Sequence, residues 1–154
     1  MDSNKVKALL DEALDLNQDL FLISFTISPT NDIEIVVDGD HGVSLEECIR
    51  ISRNIEHNLD RETEDFALSV KTPDITKPLV HPRQYNKNIG RTLEIFTEEG
   101  VTEGKLIEIK DEKLVLTWKT REPKPIGKGK HTVVKEAEIS IDSISKAKVK
   151  IVYN

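Results

Sequence analysis

Asp38-Gly39-Asp40-His41-Gly42 packs two carboxylates and an imidazole into five residues, the densest chemistry in the chain. A calcium loop of the EF-hand type starting at Asp38 would need glycine at position 43 and glutamate at position 49. The chain has Val43 and Ile49 there, so the pattern fails. Gly39 and Gly42 also match the bare G-x-x-G of an RNA-binding KH loop, but that loop joins two helices, and two carboxylates repel a phosphate. The segment reads as a strand-to-helix turn. Cys48 is the single cysteine. It falls on the apolar side of a helical pattern and is expected as a small core residue rather than a nucleophile. His41, His57, His81 and His131 are scattered, with no metal-ligand spacing. There is no Gly-rich phosphate loop and no serine elbow. We therefore expect no catalytic residue, no metal site and no cofactor.

The basic residues make a better case. Lys71 and Lys77 flank a proline-rich connector, with Arg83, Lys87 and Arg91 just beyond it. Lys119, Arg121, Lys124, Lys128 and Lys130 fall in or beside a second basic stretch. Lys119–Lys135 holds six basic residues and one acid, Glu122. Such side chains bind a phosphate backbone by charge, without base-specific geometry. With seven aromatic residues in the chain there is little to stack single-stranded bases on, so shape and backbone recognition is the expectation.

Positioning these groups requires elements, and periodicity supplies them. Val6, Leu9, Leu10, Ala13 and Leu14 predict an amphipathic helix over 4–16. Phe21, Ile23, Phe25 and Ile27, then Ile33, Ile35 and Val37, alternate as two strands around the turn Ser28–Asp32, an antiparallel hairpin. Ser44 and Glu47 form a capping-box pattern for a helix running to about Leu59, with Leu45, Cys48, Ser52, Ile55 and Leu59 on its buried stripe. Phe66, Leu68 and Val70 mark a third strand. Two helices on a three-stranded sheet make a small α+β domain. Further on, the pattern becomes short strands near Leu93–Ile95, Lys105–Ile109, Leu114–Trp118, Val133-Val134, Ile139–Ile141 and Ala147–Ile151. Gly100, Gly104 and Asp111-Glu112 are read as turns, and Arg121–His131 as a long flexible basic loop. This second half reads as a small β-barrel.

Between the halves, Pro73, Pro78 and Pro82 punctuate a stretch that neither a regular helix nor a central strand should cross. The expected domains are 1–80 and 81–154. The first carries 7 basic and 17 acidic residues, a net of −10; the second carries 15 and 11, a net of +4. That asymmetry suits contact with a polyanion through one end only. No apolar run approaches the roughly 20 residues of a membrane span. The acidic, helical N-terminus does not read as a signal peptide, and one cysteine allows no internal disulfide, so a cytoplasmic protein is expected.

Three segments resemble the ribosome maturation factor RimP family: IEIVVDGDHGVSLEECIRISRNIEHNLD, FALSVKTPDITKPLVHPRQYNKNIGRTLEI and the closing ISIDSISKAKV. In the connector Val70, Pro73, Lys77, Pro78 and Leu79 match the family pattern. Lys71, Thr72, Asp74, Ile75 and Thr76 depart from it, Asp74 standing where the family has glycine. The resemblance implies an N-terminal α+β domain followed by an SH3-like or Sm-like barrel. It also implies an assembly factor that binds the immature small (30S) ribosomal subunit, with rRNA and a small-subunit ribosomal protein as partners. A monomer without enzymatic activity is expected. Two rivals stand beside it: a general RNA-binding Sm-like module that forms rings, and a hydrolase using Cys48 or the Asp38–Glu47 acidic cluster.

Overall fold

A computed structural model describes residues 1–151 and divides the chain into two compact units, Met1–Asp74 and Ile75 onward. The architecture is mixed α+β.

The first unit begins with α1 (Ser3–Asp15), started by Asp2, whose carboxylate accepts from the amides of Asn4 and Lys5. Its buried residues are Val6, Leu10 and Ala13, the stripe that the sequence spacing requires. Strands β1 (Leu20–Ile27) and β2 (Asp32–Gly39) form the expected antiparallel hairpin, with a slip in register between Leu22 and Ser24. Asn31 takes a left-handed φ of 62° in the turn, and the Ser28 hydroxyl accepts from the Asp32 amide at 2.9 Å. Helix α2 (Leu45–Glu56) then crosses over, and β3 (Ala67–Lys71) pairs with β2 in parallel, Ile33 opposite Leu68 and Ile35 opposite Val70. A parallel pair needs such a crossover, and α2 supplies it. Val6, Leu10, Ile33, Ile35, Val37, Ile51 and Ile55 are fully enclosed between helices and sheet.

Helix α2 corrects two expectations. Its stripe centres on Ile51 and Ile55, while Leu45 is 75% exposed and Cys48 only half-buried. Leu45 sits in the first turn, one turn before the helix meets the core. The capping box is half made: the Ser44 hydroxyl accepts from the Glu47 amide at 3.2 Å, but the Glu47 carboxylate turns to Arg50 Nη2 at 2.6 Å. Arg50 Nη1 also donates to the Ala13 carbonyl at 2.7 Å, so a side chain of α2 satisfies a carbonyl in the last turn of α1.

The second unit opens with a helix that the prolines hid. Helix α3 (Pro82–Lys87) places Pro82 in its first turn, where a missing amide costs nothing. His81 Nδ1 accepts from the Arg83 amide, and the Gln84 side-chain oxygen accepts from the amides of Val80 and His81. Tyr85 is buried below, and loss of solvent pushes its phenol pKa up. Asp74 is not among the positive-φ residues, so this chain does without the left-handed backbone that glycine would allow there.

Five strands follow: β4 (Thr92–Thr97), β5 (Gly100–Lys110), β6 (Lys113–Pro123), β7 (Lys130–Ser140) and, after a 3-10 turn at Ile141–Ser143, β8 (Lys146–Val149). They make one antiparallel sheet in the order β7-β6-β5-β4-β8. Leu93, Ile95, Leu106, Leu114, Leu116 and Ala147 are its fully enclosed residues. Among the described residues no ladder joins β7 to β8, so the expected barrel is not closed by hydrogen bonds. Gly104 is not a turn residue: it lies within β5, where a Cβ would stand 3.0 Å from the Thr117 carbonyl oxygen. Asp111 and Glu112, both with positive φ, do form the two-residue turn between β5 and β6.

Candidate nucleic-acid interface

The stretch Arg121–His131 is a loop only in part: residues 121–123 and 130–131 lie in β6 and β7, and residues 124–129 connect them. Strands β6 and β7 stay in register from Lys113 opposite Ser140 to Pro123 opposite Lys130. Strand β5 accompanies β6 only as far as Thr117, so residues beyond it continue as a two-stranded ribbon. The ribbon extends because backbone pairing, not apolar alternation, holds it. Side chains add to the ladder: the Thr117 hydroxyl donates to the Lys135 carbonyl at 3.0 Å, and Arg121 Nη2 donates to the Lys130 carbonyl at 3.2 Å. At the end the Lys124 amide donates to the Gly129 carbonyl at 3.1 Å, closing the tip.

Alternation in a strand then sorts the charges. Trp118, Thr120 and Glu122 share one face with Val133 and Lys135, and Lys135 Nζ pairs with Glu122 at 2.8 Å across the strands. Lys119 and Arg121 lie on the opposite, exposed face with Lys130, and Lys124 and Lys128 crown the tip. Opposite Glu122 stands His131, whose buried Nδ1 has no hydrogen-bond partner.

Of the ten nominated cations the structure brings these five together: Lys119, Arg121, Lys124, Lys128 and Lys130. The others lie elsewhere. Lys71 ends β3 in the first unit and is ion-paired with Glu34 at 2.5 Å. Lys77 is exposed in the connector, Arg83 and Lys87 are half-buried on α3, and Arg91 is exposed just before β4. Sequence reasoning passed over Lys146 and Lys150 on the opposite edge of the sheet. Lys146 stands 4.4 Å from the centre of the Phe96 ring, and Lys150 is bonded to Glu103 at 2.6 Å, which holds its pKa above the usual lysine value. No sequence signal separates those occupied lysines from the unpaired ones; the strand register does.

Cys48 is not poised as a nucleophile. Desolvation, then the neighbouring Glu47 charge, raises the Cys48 thiol pKa, the direction opposite to an activated nucleophile. Among the described residues no group of three His, Cys, Asp or Glu side chains could hold a metal ion, and no helix is long and apolar enough to cross a membrane. The ribbon, by contrast, offers unpaired cations at fixed spacing, which is what a phosphate backbone binds.

Comparison with known proteins agrees with the resemblance in the motifs. Residues 6–76 match the model of the RimP N-terminal domain. A ribosome maturation factor RimP from Christiangramia forsetii is 50% identical over 153 residues, spanning 99% of this chain and 100% of that protein. The Flavobacterium psychrophilum protein of that name is 48% identical over 149 residues, 97% of each chain. That of Porphyromonas gingivalis is 32% identical over 149 residues, 96% of this chain and 97% of its own. Similarity of that extent, end to end across both units, makes this chain a member of the RimP family of ribosome maturation factors.

Proposed function

We propose that this protein serves ribosome maturation by binding the immature small (30S) ribosomal subunit as a two-part, non-enzymatic adaptor. In this reading residues 1–80 and 81–154 are the two functional halves. The acidic half meets a basic ribosomal protein, and the basic half meets rRNA phosphates. Complementary charge of this kind sets orientation and association rate more than affinity. Placing the boundary between Asp74 and Ile75 leaves the contrast intact: 6 basic against 17 acidic residues before it, a net of −11, and 16 against 11 after it, a net of +5.

The observation that carries the reading is the ribbon, which presents Lys119, Arg121, Lys124, Lys128 and Lys130 together on one exposed face and tip. Lys77, Arg83, Lys87, Arg91 and Lys71 are proposed as secondary contacts, Lys71 the weakest because Glu34 already holds it. Sucrose-gradient fractionation of a lysate tests the whole: the protein should travel with free small subunits and not with translating ribosomes. Reversing the charge of Lys124, Lys128 and Lys130 should move it to the top of the gradient. Unchanged sedimentation of that variant would remove the ribbon from the interface.

A further inference from the structure

Ile126 is 90% exposed, the most exposed of the large apolar side chains among the described residues. A lone exposed isoleucine on a protein surface means little. This one is placed differently. It stands at the end of the β6–β7 ribbon, six residues of strand past the last β5 partner at Thr117, and so roughly 20 Å clear of the sheet by strand rise. It is absent from the core of its own unit and adds nothing to that unit's packing. Pro125 fixes the backbone before it, and Gly127 and Gly129 take left-handed φ values of 90° and 93° after it. The Lys124–Gly129 hydrogen bond closes the loop. Lys124, Lys128 and Lys130, all exposed, lie within four residues of Ile126 in the chain. An apolar point held by a closed loop loses less entropy on insertion than one on a free segment.

We propose that Pro125 and Ile126 form a wedge that packs against an unstacked base of structured RNA, while Lys124, Lys128 and Lys130 hold the phosphates on either side. This deepens the rRNA reading above and rests on it. Apolar side chains inserted at base steps are a general device of minor-groove recognition, and opening a step is least costly where a base is already unpaired. In RNA such bases lie at loops and junctions, beside the wide shallow groove. A single side chain suffices for one step. An anionic lipid surface is the less favoured target: it would want a broader apolar face than one proline and one isoleucine offer.

The test uses the full-length chain, in vitro transcribed small-subunit rRNA, and titrations at several salt concentrations. Ile126→Ser should weaken binding about tenfold, as expected for losing a half-buried isoleucine, and leave the salt slope unchanged. Ile126→Phe should retain affinity. Lys124→Gln with Lys128→Gln should lower the slope of log K against log salt by about 1.5. Chemical probing should show a base whose enhanced reactivity with the wild type vanishes with Ile126→Ser. Because the side chain is exposed, neither substitution at 126 should alter thermal stability. Serine binding within about twofold of wild type, with the lysine effect present, overturns the wedge and leaves the charge reading standing. Loss of both effects, or no rRNA binding by the wild type, overturns both. Ile126-dependent capture on phosphatidylglycerol vesicles with unaltered rRNA binding would overturn the wedge in favour of lipid.

Discussion

Gly39→Ala isolates a single close approach in the first unit. A Cβ built on Gly39 would lie 2.3 Å from the Gly42 carbonyl oxygen and 3.1 Å from Leu20 Cδ2. Ordinary carbon–oxygen contact is about 3.3–3.6 Å, so the overlap is about 1 Å, and it is against backbone. The backbone has little room to yield. The Gly42 amide donates to the Gly39 carbonyl at 3.1 Å, and the Asp40 amide donates to the Asp19 carbonyl at 2.9 Å. Overpacking costs about 1–3 kcal/mol, and a backbone clash belongs at the upper end. For a domain of this size about 3 kcal/mol lowers the melting temperature by roughly 12–24 °C. Calorimetry should show that shift, and amide exchange should speed up in β1 and β2 but not in β6 and β7. Gly42→Ala separates contact from conformation: nothing lies within 4 Å of its Cβ, but its φ is +87°, so only the strain of a left-handed alanine, about 1–2 kcal/mol, should appear. A Gly39→Ala shift below about 4 °C, or one no larger than that of Gly42→Ala, would refute the steric argument.

Gly104→Ala should destabilise the second unit by about 1–2 kcal/mol, since its Cβ meets Thr117 and Leu116 at 3.0 and 3.3 Å; denaturant midpoints check this. Arg50→Gln should cost about 1–2 kcal/mol by freeing the Ala13 carbonyl and Glu47. The Arg50 hydrogen bond holds the Glu47 pKa below its ordinary 4.5, so the stabilisation is full above that pH and lost as pH falls through the lowered value; acid titration of the variant should be flatter in that window. Cys48 should react with iodoacetamide more slowly at neutral pH than a free thiol, and Cys48→Ala should leave subunit binding intact; fast alkylation would contradict its raised pKa.

Most of the architecture was legible because burial imposes a period. The stripe Val6–Leu10–Ala13 and the alternation through Ile33–Val37 are written in residue type. Features held by backbone or by single contacts were not. The capping of α3 uses histidine and glutamine rather than the usual short polar residues, behind a proline that reads as a breaker. The end of β6, Lys119–Pro123, is made of Lys, Thr, Arg, Glu and Pro and has no apolar alternation to announce it. At the candidate interface the cations were visible as a composition, but which of them are unpaired follows from register. Glu122 meets Lys135 only because the strands align His131 opposite Glu122, and Lys71 meets Glu34 only because β3 runs parallel to β2.

Strand β4 sits between β5 and β8, so the partner on one of its flanks arrives some fifty residues after it in synthesis. Until Ala147 and Val149 emerge, Leu93 and Ile95 face an open edge. A nascent chain stalled before that point would present an adhesive strand to its neighbours, which makes any truncation just short of β8 a candidate for proteolytic clearance rather than a shorter working copy.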